Sequence, residues 1–126
     1  MLRNTSRLLC RCAPGTYAPT LMAVSGVFLA HLIEVALYAA AYALLEHTLK
    51  VGELLGAPGD TPMDYFYYSI VMYTSLGLGE VFPVDHLRVM SGIEALNGLV
   101  LIGWSTSFTF LIMRRYWPMN PQERAA

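Results

Sequence analysis

The sequence predicts an all-α membrane protein: two transmembrane helices and, between them, a short helix that enters the bilayer without crossing it, followed by a loop that returns. Three observations carry that class. The 126 residues are 56% hydrophobic and only 13% charged, against about 25% charged in ordinary globular domains, and the mean hydropathy is +0.47. Two apolar stretches are each long enough to cross a bilayer, which takes ~20 residues. The segment between them opens with a helix-start signal but is too short for a third crossing.

The elements follow in order. Residues 1–18 form a tail carrying Arg3, Arg7 and Arg11, with Cys10 and Cys12 in a C-x-C pair. Two thiols fall short of the four ligands of a structural zinc, so they read as reduced residues of a flexible tail. An outer helix over ~20–45 is roughly 39 Å long at ~1.5 Å per residue, enough to span with some tilt. It is too long for a signal-peptide core, and no small-residue cleavage motif follows it. The linker 46–60, EHTLKVGELLGAPGD, is polar and broken by Gly56, Pro58 and Gly59. A helix over ~62–74 starts at Thr61 as N-cap, with Pro62 in the first turn and Asp64 at the capping-box position. After a loop at 75–80, an inner helix runs over ~87–113, with Tyr116 and Trp117 placed as interfacial aromatics and 116–126 as a short tail.

Charge follows the same plan. Arg3, Arg7 and Arg11 at one end and Arg114, Arg115 and Arg124 at the other put both termini in the cytoplasm of a cell-membrane protein. The middle is acidic, with Glu46, Glu53, Asp60, Asp64, Glu80 and Asp85 against Lys50 and Arg88. A net charge of -1 gives no basis for a nucleic-acid partner. No nucleophile–base pair, phosphate loop or metal triad points to an enzyme, a resident cofactor or a small-molecule substrate. The stretch after Met113 leaves no room for a ligand-binding domain in this chain.

The chemistry concentrates in YTSLGLGEVFP, residues 73–83. Glycine adopts positive φ without steric cost, so Gly77 and Gly79 suggest a backbone that turns at every second residue. Backbone returning through a membrane must face protein or a watery path, never lipid. Alternating glycines let successive carbonyls point to one side, where a row of them can replace the hydration shell of a monovalent cation. The negative end of the short helix dipole favours the same charge.

A short helix, then T-S-L-G-L-G-E, then V-F-P-V, resembles the pore loop of the potassium-channel superfamily, whose usual pattern is T-T-V-G-Y-G-D followed by an aromatic and a proline. The resemblance covers about residues 20–115 and is nearest to bacterial two-helix ion-channel-domain proteins, with no charge-repeating voltage-sensor helix. It implies a pore domain over 19–115, made of outer helix, pore helix, selectivity filter and inner helix. It also implies four copies around a central axis in the bilayer, passing potassium passively. In that family, rings of filter carbonyls stand in for the water around the ion. By position, Ser75 takes the place of the threonine whose hydroxyl holds the innermost ion. Leu76, Gly77, Leu78 and Gly79 supply carbonyls, with Thr74 below and Glu80 at the outer mouth. Tyr67 and Tyr68 stand where two aromatic residues commonly support the filter. Leu78 replaces the usual tyrosine or phenylalanine, so no phenol tethers the filter there.

Polar residues inside the spans form the other candidate group. His31 and Glu34 share a face of the outer helix, with Tyr38 on the same stripe. Counted inward from Glu46 and His86, Glu94 falls level with Tyr38 and Asn97 level with Glu34. The expected result is a polar seam linking Tyr38 and Glu34 to Glu94 and Asn97, read either as a pH-sensitive gate or as packing hydrogen bonds. His31 and Glu34 alone are too few for a metal, and His47 and His86 lie near the outer surface. On the inner helix, Gly98 and Gly103 permit close packing, and Gly103 sits by resemblance near the family's bend on opening. Ser105 with Ser107, or Thr106 with Thr109, are alternative cavity-lining faces, while Trp104 and Phe110 suit lipid.

Two other readings stand beside a potassium channel. One is a weakly selective sodium and potassium channel, on account of Leu78. The other is a non-conducting helical membrane subunit, such as a haem-binding partner using His31.

Overall fold

The computed structural model describes residues 17–56 and 61–116. Arg3, Arg7, Cys10, Arg11, Cys12, Pro58, Gly59, Asp60, Trp117 and Arg124 lie outside the described residues. Three helices and a two-strand ladder make up the described chain.

Helix α1, Ala18–Leu44, has 27 residues. Its alanines, leucines and other good helix formers meet no internal proline, and Pro19 falls in the first turn, where no backbone N–H is needed. It continues as a π turn, Leu45–Leu49, which ends at Lys50 in the left-handed region (φ 50°). Helix α2, Pro62–Tyr73, has 12 residues and a complete capping box. The Asp64 N–H donates to Thr61 Oγ1 at 3.3 Å, and the Thr61 N–H donates to Asp64 Oδ2 at 3.0 Å. At ~1.5 Å per residue α2 reaches about 18 Å, well short of a ~30 Å hydrocarbon core. Helix α3, Leu87–Tyr116, has 30 residues and carries Arg114 and Arg115 in its last turn.

Two helical stretches, Ala18–Leu49 and Leu87–Tyr116, are long and apolar enough to cross a membrane. Their sides expose Phe28, Leu29, Ile33, Leu37, Val89, Ile93, Leu96 and Leu99. An apolar surface of this extent marks contact with lipid or partner chains.

The described residues group into two compact units. One consists of the helix ends 17–27 and 105–116. It exposes Leu21, Met22, Phe108 and Leu111, and the Arg115 guanidinium stands 5.8 Å over the Tyr116 ring.

The other unit, 28–104, holds the core and everything that bears on function. Ala39, Tyr42, Leu54, Tyr65, Tyr68, Val81 and Leu87 form its buried cluster. The Tyr42 and Tyr68 rings meet edge to face at 5.1 Å, a geometry worth about 0.5–1.5 kcal/mol beyond area burial. Strands β1, Leu54–Leu55, and β2, Phe82–Pro83, pair antiparallel with Leu54 opposite Pro83 and Leu55 opposite Phe82. The Val84 N–H extends this clasp to the Glu53 carbonyl at 3.0 Å. The loop from Thr74 to Val81 therefore runs from the C-terminus of α2 to a strand clasped onto the segment that precedes α2.

Candidate functional site

Thr74 caps α2, its hydroxyl donating back to the Ile70 carbonyl at 2.7 Å. The next amides also fold back: Ser75 N–H donates to Met72 O at 2.9 Å and Leu76 N–H to Val71 O at 3.0 Å. The chain then alternates. Ser75, Gly77 and Gly79 have φ of 57°, 57° and 78°, while Leu76 and Leu78 between them do not. A reversal of handedness at every second residue turns successive peptide planes so that their carbonyls share a side. No backbone hydrogen bond among the described residues ends on a carbonyl of Thr74 to Gly79. The whole segment is exposed, including the Leu76 and Leu78 side chains. A row of unpaired carbonyls along an exposed backbone is a cation site in waiting.

Glycine is needed at 77 and 79 for conformation, not for room. A methyl group added at either would meet nothing within 4 Å, yet a left-handed backbone disfavours any residue with a Cβ by roughly 1–2 kcal/mol. Ser75 holds that conformation with a side chain.

The loop is braced at its outer end. The Tyr67 hydroxyl donates to Glu80 Oε2 at 2.9 Å, and this bond to the carboxylate pushes the phenol's pKa up. Tyr68 does not join it. Neighbouring residues on a helix point about 100° apart, and Tyr68 is fully buried against α3 with its hydroxyl 2.6 Å from Ser91 Oγ.

The polar residues of the spans form two networks, each organised by α2. In the first, Tyr73 donates to Glu34 Oε2 and lies 2.8 Å from His31 Nδ1, which is itself 3.3 Å from Glu34 Oε2. In the second, Glu94 accepts from Tyr42 and from Ser69, each at 2.5 Å. The seam expected from the sequence is thus corrected. Glu34 and Glu94 do not meet, and neither the Tyr38 hydroxyl nor the Asn97 amide makes a side-chain hydrogen bond among the described residues. Depth counted inward from Glu46 assumes a regular α-helix, whereas 45–49 form a wider π turn, and the partner of Glu94 is Tyr42, one turn from Tyr38. The helix face count also left out α2, which intercepts both carboxylates.

Gly98 sets the last contact. A methyl group there would collide with the Tyr73 carbonyl oxygen, so α3 backbone lies directly against the end of α2. A family profile described as "Ion channel" matches residues 30–115, more than half of the chain. The chain belongs to the ion channel family. Neither the curated proteins nor the solved structures contain a match to it. The family is one of membrane transport proteins and not of enzymes.

Within this ion channel domain the structure brings Thr74–Glu80 together with Tyr67 at one loop, and places His31 and Glu34 at the base of that loop through Tyr73. Gly103 lies inside an unbroken α3. Sequence reasoning missed Tyr42, Ser69, Tyr73, Ser91 and Gly98. The available signal was the spacing of Ser69 and Tyr73, which repeats at four residues along α2 and so marks one face looking at the long helices.

Proposed function

We propose that four copies of this chain surround one axis and form a passive, potassium-preferring cation channel, with α2 as pore helix and 75–80 as selectivity filter. The observation that carries this reading is the alternation of left-handed backbone at Ser75, Gly77 and Gly79 beside carbonyls that no backbone amide uses. One loop offers carbonyls from one side only, and a dehydrated cation needs them all round. Closed rotational symmetry supplies the other sides. The exposed Leu76 and Leu78 side chains then pack against neighbouring copies while the carbonyls face the axis.

Two further features support a cation as cargo. The C-terminal, negative end of α2 leads straight into the loop. A cleft of about 550 Å³ nearby is lined by Glu46, His47, Lys50, Gly52, Glu53, Val84 and Asp85, three carboxylates against one ammonium. In the proposed orientation, with both termini cytoplasmic, this cleft opens on the outer side and concentrates cations at the mouth. The cell membrane is the proposed location, a homotetramer the assembly, and the permeating ion the sole cargo, with no resident cofactor. Ser75 supplies the innermost hydroxyl, and the Tyr67–Glu80 bond braces the filter that Leu78 leaves untethered.

The test is cation flux into liposomes holding the purified protein, under potassium and sodium gradients, with Gly77→Ala alongside. Potassium-preferring flux that the substitution abolishes supports the filter. Equal flux of both ions assigns the relaxed selectivity to Leu78. A non-tetrameric mass together with no flux overturns the proposal.

A further inference from the structure

Glu94 lies at the centre of the 28–104 unit with no exposed surface. Every helix of that unit reaches it or its neighbours. From α1 comes Tyr42, whose hydroxyl is 2.5 Å from Glu94 Oε2 and 3.3 Å from Ser91 Oγ. From α2 comes Ser69, with Oγ 2.5 Å from Glu94 Oε1 and 2.9 Å from the Val35 carbonyl. Tyr68, also on α2, approaches Ser91 Oγ at 2.6 Å, and Ser91 in turn reaches the Leu87 carbonyl at 2.9 Å. The titratable groups that face Glu94 are Tyr42 from α1 with Tyr68 and Tyr73 from α2. No cation balances it: the single ion pair among the described residues joins His31 to Glu34.

The hydroxyl protons in this cluster can be counted. A carbonyl can only accept, and each hydroxyl owns one proton. The Ser91 proton goes to Leu87 O, so the Tyr68 proton goes to Ser91 Oγ. The Tyr42 proton goes to Glu94 Oε2, with its longer branch toward Ser91. Ser69 is then left with one proton and two oxygen contacts, Val35 O and Glu94 Oε1. If Glu94 is a carboxylate, one of these short oxygen–oxygen contacts has no hydrogen in it. A proton on Oε1 completes the set: Glu94 donates to Ser69, Ser69 donates to Val35 O, and Glu94 Oε2 accepts from Tyr42.

We infer that Glu94 is an uncharged acid whose own proton is the donor to Ser69, and that in this form it is a positioning residue clasping α2 to both long helices. A buried carboxylate with no counter-ion is costly, whereas a neutral acid with both oxygens satisfied is a stable core group. The consequence for conduction rests on the filter reading above, because α2 carries that loop on its C-terminal end. The proton itself does not depend on it.

The experiment is infrared spectroscopy of the full chain in liposomes at neutral pH, comparing the parent with Glu94→Gln and Glu94→Ala, and following thermal unfolding and potassium flux on the same samples. A carboxylic-acid carbonyl band present in the parent and missing from Glu94→Gln is the expected signature. The glutamine amide reproduces the acid's pattern, its oxygen accepting from Tyr42 and its nitrogen donating to Ser69. Glu94→Gln therefore keeps the parent's unfolding temperature and flux, while Glu94→Ala strands Tyr42 and Ser69 and lowers flux about tenfold. Absence of the acid band overturns the inference, and so does a glutamine variant as damaged as the alanine one. A parent that shows the band but passes no cation counts against the filter reading alone.

Discussion

The carbonyl oxygen of Tyr73 rests against the backbone of Gly98, so closely that a side chain at 98 has no space. Tyr73 is the last residue of α2, and Thr74 and Ser75 follow it directly. Gly98→Ala therefore pushes the base of the loop away from α3. Overpacking of this kind costs typically 1–3 kcal/mol, and it acts here on the carbonyl nearest the loop. The expected outcome is a lower unfolding temperature together with loss of cation flux. Gly103→Ala, by contrast, meets nothing within 4 Å and leaves the unfolding temperature near the parent's.

Tyr73 is also held by its other end. Its hydroxyl donates to Glu34 and lies 2.8 Å from His31 Nδ1. Tyr73→Phe keeps the buried ring and removes the bond, leaving a part-buried carboxylate without its donor. The expected loss is about 1–3 kcal/mol, read by thermal unfolding. The two effects at Tyr73 share one residue, so Gly98→Ala and Tyr73→Phe combine non-additively in a double-mutant cycle. Additive losses would show that the carbonyl and the hydroxyl of Tyr73 act independently.

The Tyr67–Glu80 bond makes a pH prediction. The Glu80 carboxylate holds the Tyr67 phenol above its ordinary value of 10.0. A raised folded-state value means that the stabilising bond is fully present below the unfolded value and is lost as pH rises through the folded one. Flux and stability due to this pair are accordingly flat through neutrality and decline only in strong alkali. Ultraviolet titration gives the direct check: a phenol that ionises late in the parent ionises earlier in Glu80→Gln.

The start of α2 offers a smaller, local prediction. Thr61→Ala removes the acceptor for the Asp64 N–H and half of the capping box. Such a cap contributes typically ~1 kcal/mol, and the exposed site gives the substitution no other contact to disturb. Thermal unfolding falls by that amount while ion preference stays unchanged, because the loop lies at the other end of the helix.

Much of this was legible before any coordinates. Thr61, Pro62 and Asp64 announce the start of α2 through chemistry confined to four residues, and the structure holds that capping box intact. The long helices declare themselves by length and apolarity, although α3 runs on to Tyr116 past the expected end at 113. The alternation at Gly77 and Gly79 was readable because only glycine enters positive φ freely. Ser75 was not readable in the same way, since nothing in its identity shows the left-handed backbone it adopts. Partner choice inside the bilayer was the least legible part. Which tyrosine reaches Glu94 depends on one turn of register along α1, and a π turn at 45–49 moves that register without a distinctive residue to mark it.

The clasp between β1 and β2 has a bearing on how the molecule assembles. Leu54 and Leu55 meet Phe82 and Pro83 across the whole of α2 and its loop, so the ladder closes a long stretch of chain with two residues a side. Closing a loop of that length carries an entropy cost that so few hydrogen bonds do not offset alone, at about 0.5–1.5 kcal/mol each. Docking of Tyr65 and Tyr68 into the core must come first and bring the two strands within reach. The ladder is therefore the last part to form and the first to open, and its amides exchange with solvent deuterium sooner than those of α2. The outer rim is where this fold breathes.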